Sequence, residues 1–211
     1  MHTSQSSLQS SLIASPSLQL DLPVRPGQGH KSSSVVALTN FRTRAHDLPI
    51  SATEPNLSRE QPRQWWDPSR QLLKSIRQYQ RWQSRGGLLG LGLSKLSIIQ
   101  HRFWSVVAGA DIPLNCQLGG GLLLTHPTGV VIHPSAEIGC NCLFLQQVTI
   151  VAGVKIGGHV DVGAGAKIIR PVTIGDHAKI GANAVVLDDV PAGATAVGIP
   201  AKIIMPRVAN G

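Results

Sequence analysis

The chain contains few aromatic and few sulfur-containing residues. Aromatic side chains make up 4% of its 211 residues, so a core built on large rings is not expected. The three cysteines are an odd and low number. They argue against a disulfide framework and favour a reducing, cytoplasmic compartment.

Long apolar runs are also absent. No run approaches the ~18 residues that indicate a membrane span. The N-terminus lacks the charged segment followed by an apolar block that marks a secretory signal. We therefore expect no membrane among the partners of this chain.

The positive charge is unevenly distributed. The formal net charge is +8, yet from Asp111 onward six Lys and Arg balance six Asp and Glu. Between Arg70 and Arg102 there are seven basic residues and no acidic one. This stretch is either a solvated helix face or a positively charged surface that attracts a phosphate-bearing cofactor. We expect no nucleic acid as a partner.

Residues 1–62 are rich in Ser, Gln, Pro and Thr and show no sustained hydrophobic period. Such a segment buries too little apolar surface to offset its ordering entropy, so we predict a disordered tail. Its Ser-rich, acid-poor composition also faintly resembles an organelle transit peptide, which is an alternative to a plain flexible tail. Residues 205–211 are predicted to form a second, short tail.

Residues 63–109 show helical spacing of apolar residues. Asp67 followed by Pro68 predicts an N-cap with proline at the first helical position. Gly86–Gly87 is expected to end this helix. A second helix is predicted over about 93–106, so this segment is a short helical region.

Residues 110–204 repeat with a period of six, which fits neither a helix face nor simple strand alternation. Large apolar residues recur at Ile138, Phe144, Ile150, Ile156, Val162, Ile168, Ile174, Ile180 and Val186. Small or aliphatic residues recur at Cys142, Val148, Val154, Val160, Ala166, Val172, Ala178, Ala184 and Val190. Glycines that we expect to permit the corner backbone follow at Gly139, Gly157, Gly163, Gly175 and Gly181. The period predicts an all-β fold, a parallel β-helix with three short strands in each triangular coil.

The repeat is interrupted in the stretch LLLTHPTGVVIH. Leu124 and Ile132 are eight residues apart instead of six, so two extra residues enter the coil around His126–Pro127. Such an insertion pushes a corner out of line, much as a β-bulge re-aims a side chain. We predict that the imidazole of His126 is the side chain that this insertion re-aims.

The stretches ADIPLNCQLGGGLLLTHPTGVVI, QQVTI, VGAGAKI, IGDHAKIGANAVVLDDVP and VGIPAKII resemble the serine O-acetyltransferases among the hexapeptide-repeat acetyltransferases. The resemblance covers residues 110–204 and implies a left-handed coil. It implies transfer of acetyl from acetyl-CoA to L-serine, giving O-acetylserine for cysteine biosynthesis, with no other cofactor bound. It also implies that His126 is the general base and that Asp111, fifteen residues upstream, orients it.

The chemistry agrees with these residue types. A hydroxyl that attacks a thioester must lose its proton as the bond forms, and an imidazole with a pKa of about 6.5 accepts one near neutral pH. A carboxylate on the other ring nitrogen fixes the tautomer and stabilises the imidazolium. No acyl-enzyme is needed, so direct transfer in a ternary complex is expected.

The resemblance also implies a donor site. Ala164 and Ala182 are eighteen residues apart and are therefore predicted to stack on neighbouring coils, where the pantetheine arm would lie. Lys202 is a candidate partner for a CoA phosphate. The alternatives are plain coil geometry for the two alanines and an ordinary solvated lysine.

One segment departs from the family pattern. Typical serine enzymes carry a long glycine-rich loop after QQVTI that includes an RHP histidine at the acceptor site. Here VTIVAGVKIGGHV continues in register. A sugar hydroxyl or amine in polysaccharide biosynthesis therefore remains an alternative acceptor, and a catalytically inactive scaffold is a third hypothesis.

Two of the remaining histidines recur at the period of one coil. Asn141, His159 and His177 are eighteen apart and should form a ladder of ~4.8 Å per step. We predict an exposed polar edge and no metal, rather than a zinc site such as that of hexapeptide-repeat carbonic anhydrases. Cys116 and Cys142 occupy interior positions of the repeat.

The resemblance implies a homotrimer with its active site between neighbouring subunits. Typical serine enzymes pair two trimers through a larger N-terminal helical domain. Only about two helices precede the coil here, so we predict a trimer rather than a hexamer.

Overall fold

The computed structural model describes residues 50–206, which form two helices followed by a left-handed parallel β-helix of about four turns, as predicted. Helix α1 spans Pro68–Arg85 and α2 spans Gly87–Ala108. Neither helix is long and apolar enough to cross a membrane.

The coil is built from very short strands. They are β1 (Gln117–Leu118), β2 (Leu123–Leu124), β3 (Val131–Ile132), β4 (Glu137–Ile138), β5 (Leu143–Phe144), β6 (Thr149–Ile150), β7 (Lys155–Ile156), β8 (Asp161–Val162), β9 (Lys167–Ile168), β10 (Thr173–Ile174), β11 (Lys179–Ile180), β12 (Val185–Val186), β13 (Thr195–Val197) and β14 (Lys202–Ile204). They make three sheets in the orders β1-β4-β7-β10, β2-β5-β8-β11-β13-β14 and β3-β6-β9-β12. Because consecutive strands from β1 to β12 enter different sheets, the chain visits the three faces in turn, whereas β14 lies beside β13 in one sheet.

The core confirms the six-residue register. All eighteen positions of the two apolar series are buried, with at most 6% of each residue exposed. Cys142 lies among them and Cys116 is also buried. Burial raises the pKa of the Cys116 thiol to about 11 and that of Cys142 to about 12, so both behave as apolar fillers.

The repeated glycines have a different role from the one predicted. A Cβ atom at Gly139 would collide with the backbone of Gly157 on the next coil. The positive φ angles lie two residues later, at Asn141, His159 and His177, with values of 59°, 53° and 60°. Close stacking of the coils therefore requires the glycines, whereas Asn and His take the left-handed corner.

The strand register confirms the insertion. Leu124 pairs with Phe144, twenty residues on, whereas Ile132 pairs with Ile150, eighteen residues on. The first coil is therefore two residues longer, at the corner between β2 and β3, than the coils through β12, whose paired residues lie eighteen apart.

The helices differ from the prediction in detail. Asp67 precedes α1, but its side chain makes no capping hydrogen bond to the helix and instead accepts one from Arg70 at 3.1 Å. Helix α2 begins at Gly87, earlier than predicted, because Gly86 and Gly87, with φ angles of 63° and 73°, complete the turn between the helices. The side chains of Arg77 and Gln80 donate to backbone carbonyls of the first coil and fix α1 on it.

Residues 51–60, which we call the N-terminal strap, differ from the predicted tail of 1–62. The strap contains a 3₁₀ helix at Leu57–Glu60 and lies on the coil, where the Asn141 side chain bonds to three of its backbone groups at 2.7–2.8 Å. Polar contacts hold it, so no hydrophobic period marks it in the sequence. The rest of the predicted tail, residues 1–49, and residues 207–211 lie outside the described part.

Candidate active site

The insertion produces an outward corner that carries His126. Strand β2 ends at Leu124 and β3 begins at Val131. The Gly129 N–H donates to the Gly109 carbonyl at 2.6 Å and the Val130 N–H to the Pro127 carbonyl at 3.0 Å. These bonds close the corner behind His126, whose side chain is left exposed to solvent.

Asp111 lies beside the strand that leaves this corner. Its N–H donates to the Val130 carbonyl at 2.8 Å, and its own carbonyl accepts from Ile132 at 3.0 Å. Asp111 therefore extends the β3 sheet at the edge of the first coil and is exposed. Within the described chain the carboxylate of Asp111 and the ring of His126 form no hydrogen bond or ion pair.

An open cavity of about 600 Å³ borders the His126 corner. Its wall on the coil side includes Thr125, Pro127 and Thr128, the immediate neighbours of His126 in the corner. The opposite wall comes from residues 63–70 and includes Trp66. Trp66 could not be predicted as a cavity residue, because its position before α1 shows no relation to the coil in the sequence.

The two alanines predicted for the donor site do stack. The Asn183 N–H donates to the Ala164 carbonyl at 2.8 Å, and Val162 pairs with Ile180 in the adjacent strands. Ala182 is exposed and Ala164 is half-buried, so both lie at an accessible corner of the coil.

Lys202 opens β14 at the same edge of the coil. It pairs with Val197 of β13, and the Val197 side chain covers Gly181, the residue before Ala182. The Lys202 side chain is exposed. The positive charge of Lys202 is therefore separated by one strand, β13, from the strand that precedes Ala182.

The predicted ladder of Asn141, His159 and His177 is only partly exposed. Asn141 is buried, with 1% of the residue accessible, because the strap covers it. The other two rings contact each other, with their centroids 5.0 Å apart. Within residues 50–206, His, Cys, Asp and Glu side chains form no group of three that could hold a metal ion.

The acceptor loop of typical serine enzymes has no counterpart between β6 and β7. Strand β6 ends at Ile150 and β7 begins at Lys155, which is the ordinary spacing of the coil. The departure predicted from the sequence is therefore present in the fold.

Known proteins resemble this chain over part of their length. No protein-family model matches it. The serine acetyltransferase of Escherichia coli strain K12 is 36% identical over 140 residues, which are 63% of this chain and 51% of that protein. The chain thus spans about half the length of this curated relative.

Solved structures show the same likeness. Soybean serine acetyltransferase complexed with serine superimposes with a TM-score of 0.54 at 33% identity, covering 65% of this chain and 57% of that one. A serine acetyltransferase in complex with CoA gives a TM-score of 0.56 at 33% identity, covering 66% and 57%. The chain is therefore a hexapeptide-repeat protein that is similar, in sequence and in fold, to the serine acetyltransferases.

Proposed function

We propose that the chain is an acetyl-CoA-dependent serine O-acetyltransferase. The observation that carries the proposal is the exposed His126 on a corner enlarged by two residues, beside a cavity and in the coil that holds Asp111. The relatives named serine acetyltransferase and their complexes with serine and with CoA support both substrates.

The imidazole of His126 removes the proton from the acceptor hydroxyl as the oxygen attacks the thioester carbon of acetyl-CoA. The carbon–sulfur bond then breaks, and the thiolate of CoA takes the proton back from the imidazolium. The products are an acetyl ester and free CoA, and the protein ends unchanged. This cycle needs no acylated side chain.

Asp111 is the proposed orienting group. Its carboxylate would accept from the second ring nitrogen of His126 and stabilise the imidazolium. The two groups are not bonded in the described chain, and hydrogen bonds of this kind are often long in unliganded enzymes and tighten when substrates bind.

The donor would lie along the corner formed by Ala164 and Ala182, where small side chains leave the backbone accessible. Lys202 would pair with a CoA phosphate. The proposed assembly is a cytoplasmic homotrimer, because one face of the coil is too shallow to enclose a CoA arm and an acceptor together.

A sugar hydroxyl is the second candidate acceptor, and one observation favours it. Trp66 lines the cavity and Trp65 beside it is 77% exposed, with ring centroids 5.3 Å apart. Aromatic rings offer flat apolar faces for the C–H faces of a sugar. The cavity of about 600 Å³ also exceeds what one serine fills.

Release of CoA thiol from acetyl-CoA with serine, homoserine and nucleotide sugars tests these assignments. Serine-dependent release that disappears in His126→Ala supports the proposal. Release with nucleotide sugars alone identifies the second candidate. If the protein is folded but releases no thiol with any acceptor, the result supports the hypothesis of a catalytically inactive scaffold.

A further inference from the structure

Helix α2 carries a continuous exposed apolar face. Leu96, Ile99, Phe103 and Val106 follow one another at intervals of three or four residues, and each is at least half exposed. At the start of the helix Leu88, Leu89 and Leu91 extend this face, and Leu88 is 88% exposed. We call these seven residues the apolar face of α2.

The packing of α2 is the reverse of that in an ordinary surface helix. The residues that α2 buries are small, namely Gly90, Ser97 and Ala108. A Cβ atom at Gly90 would lie 2.9 Å from the Trp82 carbonyl oxygen of α1, so the two helices approach closely there. Trp104 of α2 packs against the core, whereas the seven side chains of the apolar face point away from α1. A patch of this kind marks an interaction surface.

The positive charge of helices α1 and α2 indicates the kind of partner. Helices α1 and α2 together contain seven Lys and Arg and no Asp or Glu. Arg70 and Arg77 of α1 pair with Asp67 and Glu60, which leaves five basic residues beside these two ion pairs. Lys95 and Arg102, seven residues apart on α2, are both exposed and flank the apolar face. Long basic side chains beside large apolar ones are typical of a helix that lies in the interface of an anionic bilayer.

A second copy of the chain fits this surface less well. Pairing two apolar faces would bring Lys95 and Arg102 of both copies together, and neither helix supplies a carboxylate to neutralise them. An anionic lipid surface supplies the opposite charge over the whole length of the helix.

We infer that the apolar face of α2 docks on an anionic membrane surface, with the helix lying in the plane of the interface. This inference is independent of the acetyl transfer and revises the expectation of no membrane partner. That expectation was based on the length of apolar runs, which indicates only whether a segment can span a membrane. The apolar face of α2 can be recognised only in the structure, where α1 covers the opposite side of the helix.

Co-sedimentation of the full chain with vesicles tests the inference. We expect binding to vesicles of phosphatidylglycerol and phosphatidylcholine, little binding to phosphatidylcholine alone, and release by salt. The double variant Lys95→Gln with Arg102→Gln should bind roughly 25-fold more weakly, since each basic residue near the surface contributes about five-fold. Ile99→Ser with Phe103→Ser should abolish binding.

The matched control is Ile169→Ser, which removes an apolar side chain of similar exposure (47%) from the coil. It should bind vesicles as the unchanged chain does. Thermal unfolding of every variant checks folding, and thiol release checks the acetyl transfer separately. The inference is overturned if the chain does not bind anionic vesicles or if the Ile99/Phe103 variant binds them as the unchanged chain does. A lower mass of that variant in light scattering also overturns it, since the face would then join copies of the chain.

Discussion

The Nδ1 atoms of His159 and His177 lie 2.9 Å apart across one step of the coil. One ring must therefore donate and the other accept, so two doubly protonated rings are incompatible with this contact. Burial lowers the pKa of His159, the nearby carboxylate of Asp161 opposes this, and the charges of His177, Arg59 and Lys179 lower it further.

This pair predicts a pH-dependent stability. Because the folded pKa of His159 lies below its ordinary value, the unfolded chain binds the proton first as pH falls through about 6.5. The free energy of unfolding should therefore decrease from about pH 7.5 to about pH 5.5, near that ordinary value. Urea unfolding at several pH values measures it. His159→Asn should reduce the slope, since asparagine tolerates the same corner at Asn141 and Asn183. An unchanged slope in that variant contradicts the prediction, and His133→Asn is the control.

Replacing the proposed base should abolish most of the activity. His126→Ala should lower turnover by about two to four orders of magnitude, the range for losing a general base, while acetyl-CoA binding persists. Steady-state kinetics and calorimetry measure the two effects. His133→Ala, which removes another exposed histidine whose ring bonds to Ser135, is the control. A His126→Ala protein with most of its rate would exclude the proposed mechanism.

Asp111→Asn provides the ranking test. Because Asp111 acts through His126, its loss should be smaller than that of the base and should shift the pH profile of the rate. Equal losses for both variants, or no change in the profile, would mean that Asp111 supports the fold of the first coil instead.

Charge in the coil interior should prevent folding. Ile168→Asp places a carboxylate in a position with no exposure, where nothing can solvate it. Ile169→Asp, one residue on and 47% exposed, should fold normally. Circular dichroism and soluble yield compare the two, and a soluble Ile168→Asp protein with native melting would contradict the register.

The strap should contribute measurably to stability. Glu60 accepts from Arg77 at 2.8 and 3.1 Å and from the Leu122 N–H at 3.1 Å. Glu60→Ala leaves that buried N–H and part of the guanidinium without partners, which costs about 1–3 kcal/mol. In contrast, Glu137→Ala breaks only the exposed pair with Lys155 and should cost less than about 1 kcal/mol. Equal urea midpoints for the two variants would show that the strap is not held in this way.

The proposed trimer is tested by mass. Light scattering on the purified chain should give three times the mass of one chain, with a hexamer as the less favoured result. A stable monomer with full activity would contradict a site shared between subunits.

The coil could be predicted because its determinants are local and repeated. Each interior position, such as Ile150 or Val160, meets the same neighbours one coil on, so a single period fixes the burial of all of them. The strap and the cavity could not be predicted, because both depend on contacts between residues that are distant in the sequence. Asn141 is bonded to Asn56, eighty-five positions away, and Trp66 reaches the His126 corner only after α1 has docked.

The direction of β14 has a consequence for this end of the coil. In the described chain its pairing with β13 is the one antiparallel pairing, whereas all other paired strands run parallel. A bare solenoid end would offer unpaired N–H and C=O groups in the direction that the first coil of another molecule requires for end-to-end growth. On this face the reversed strand occupies those groups and presents the opposite polarity. The three residues of β14 therefore favour a discrete particle over a fibre.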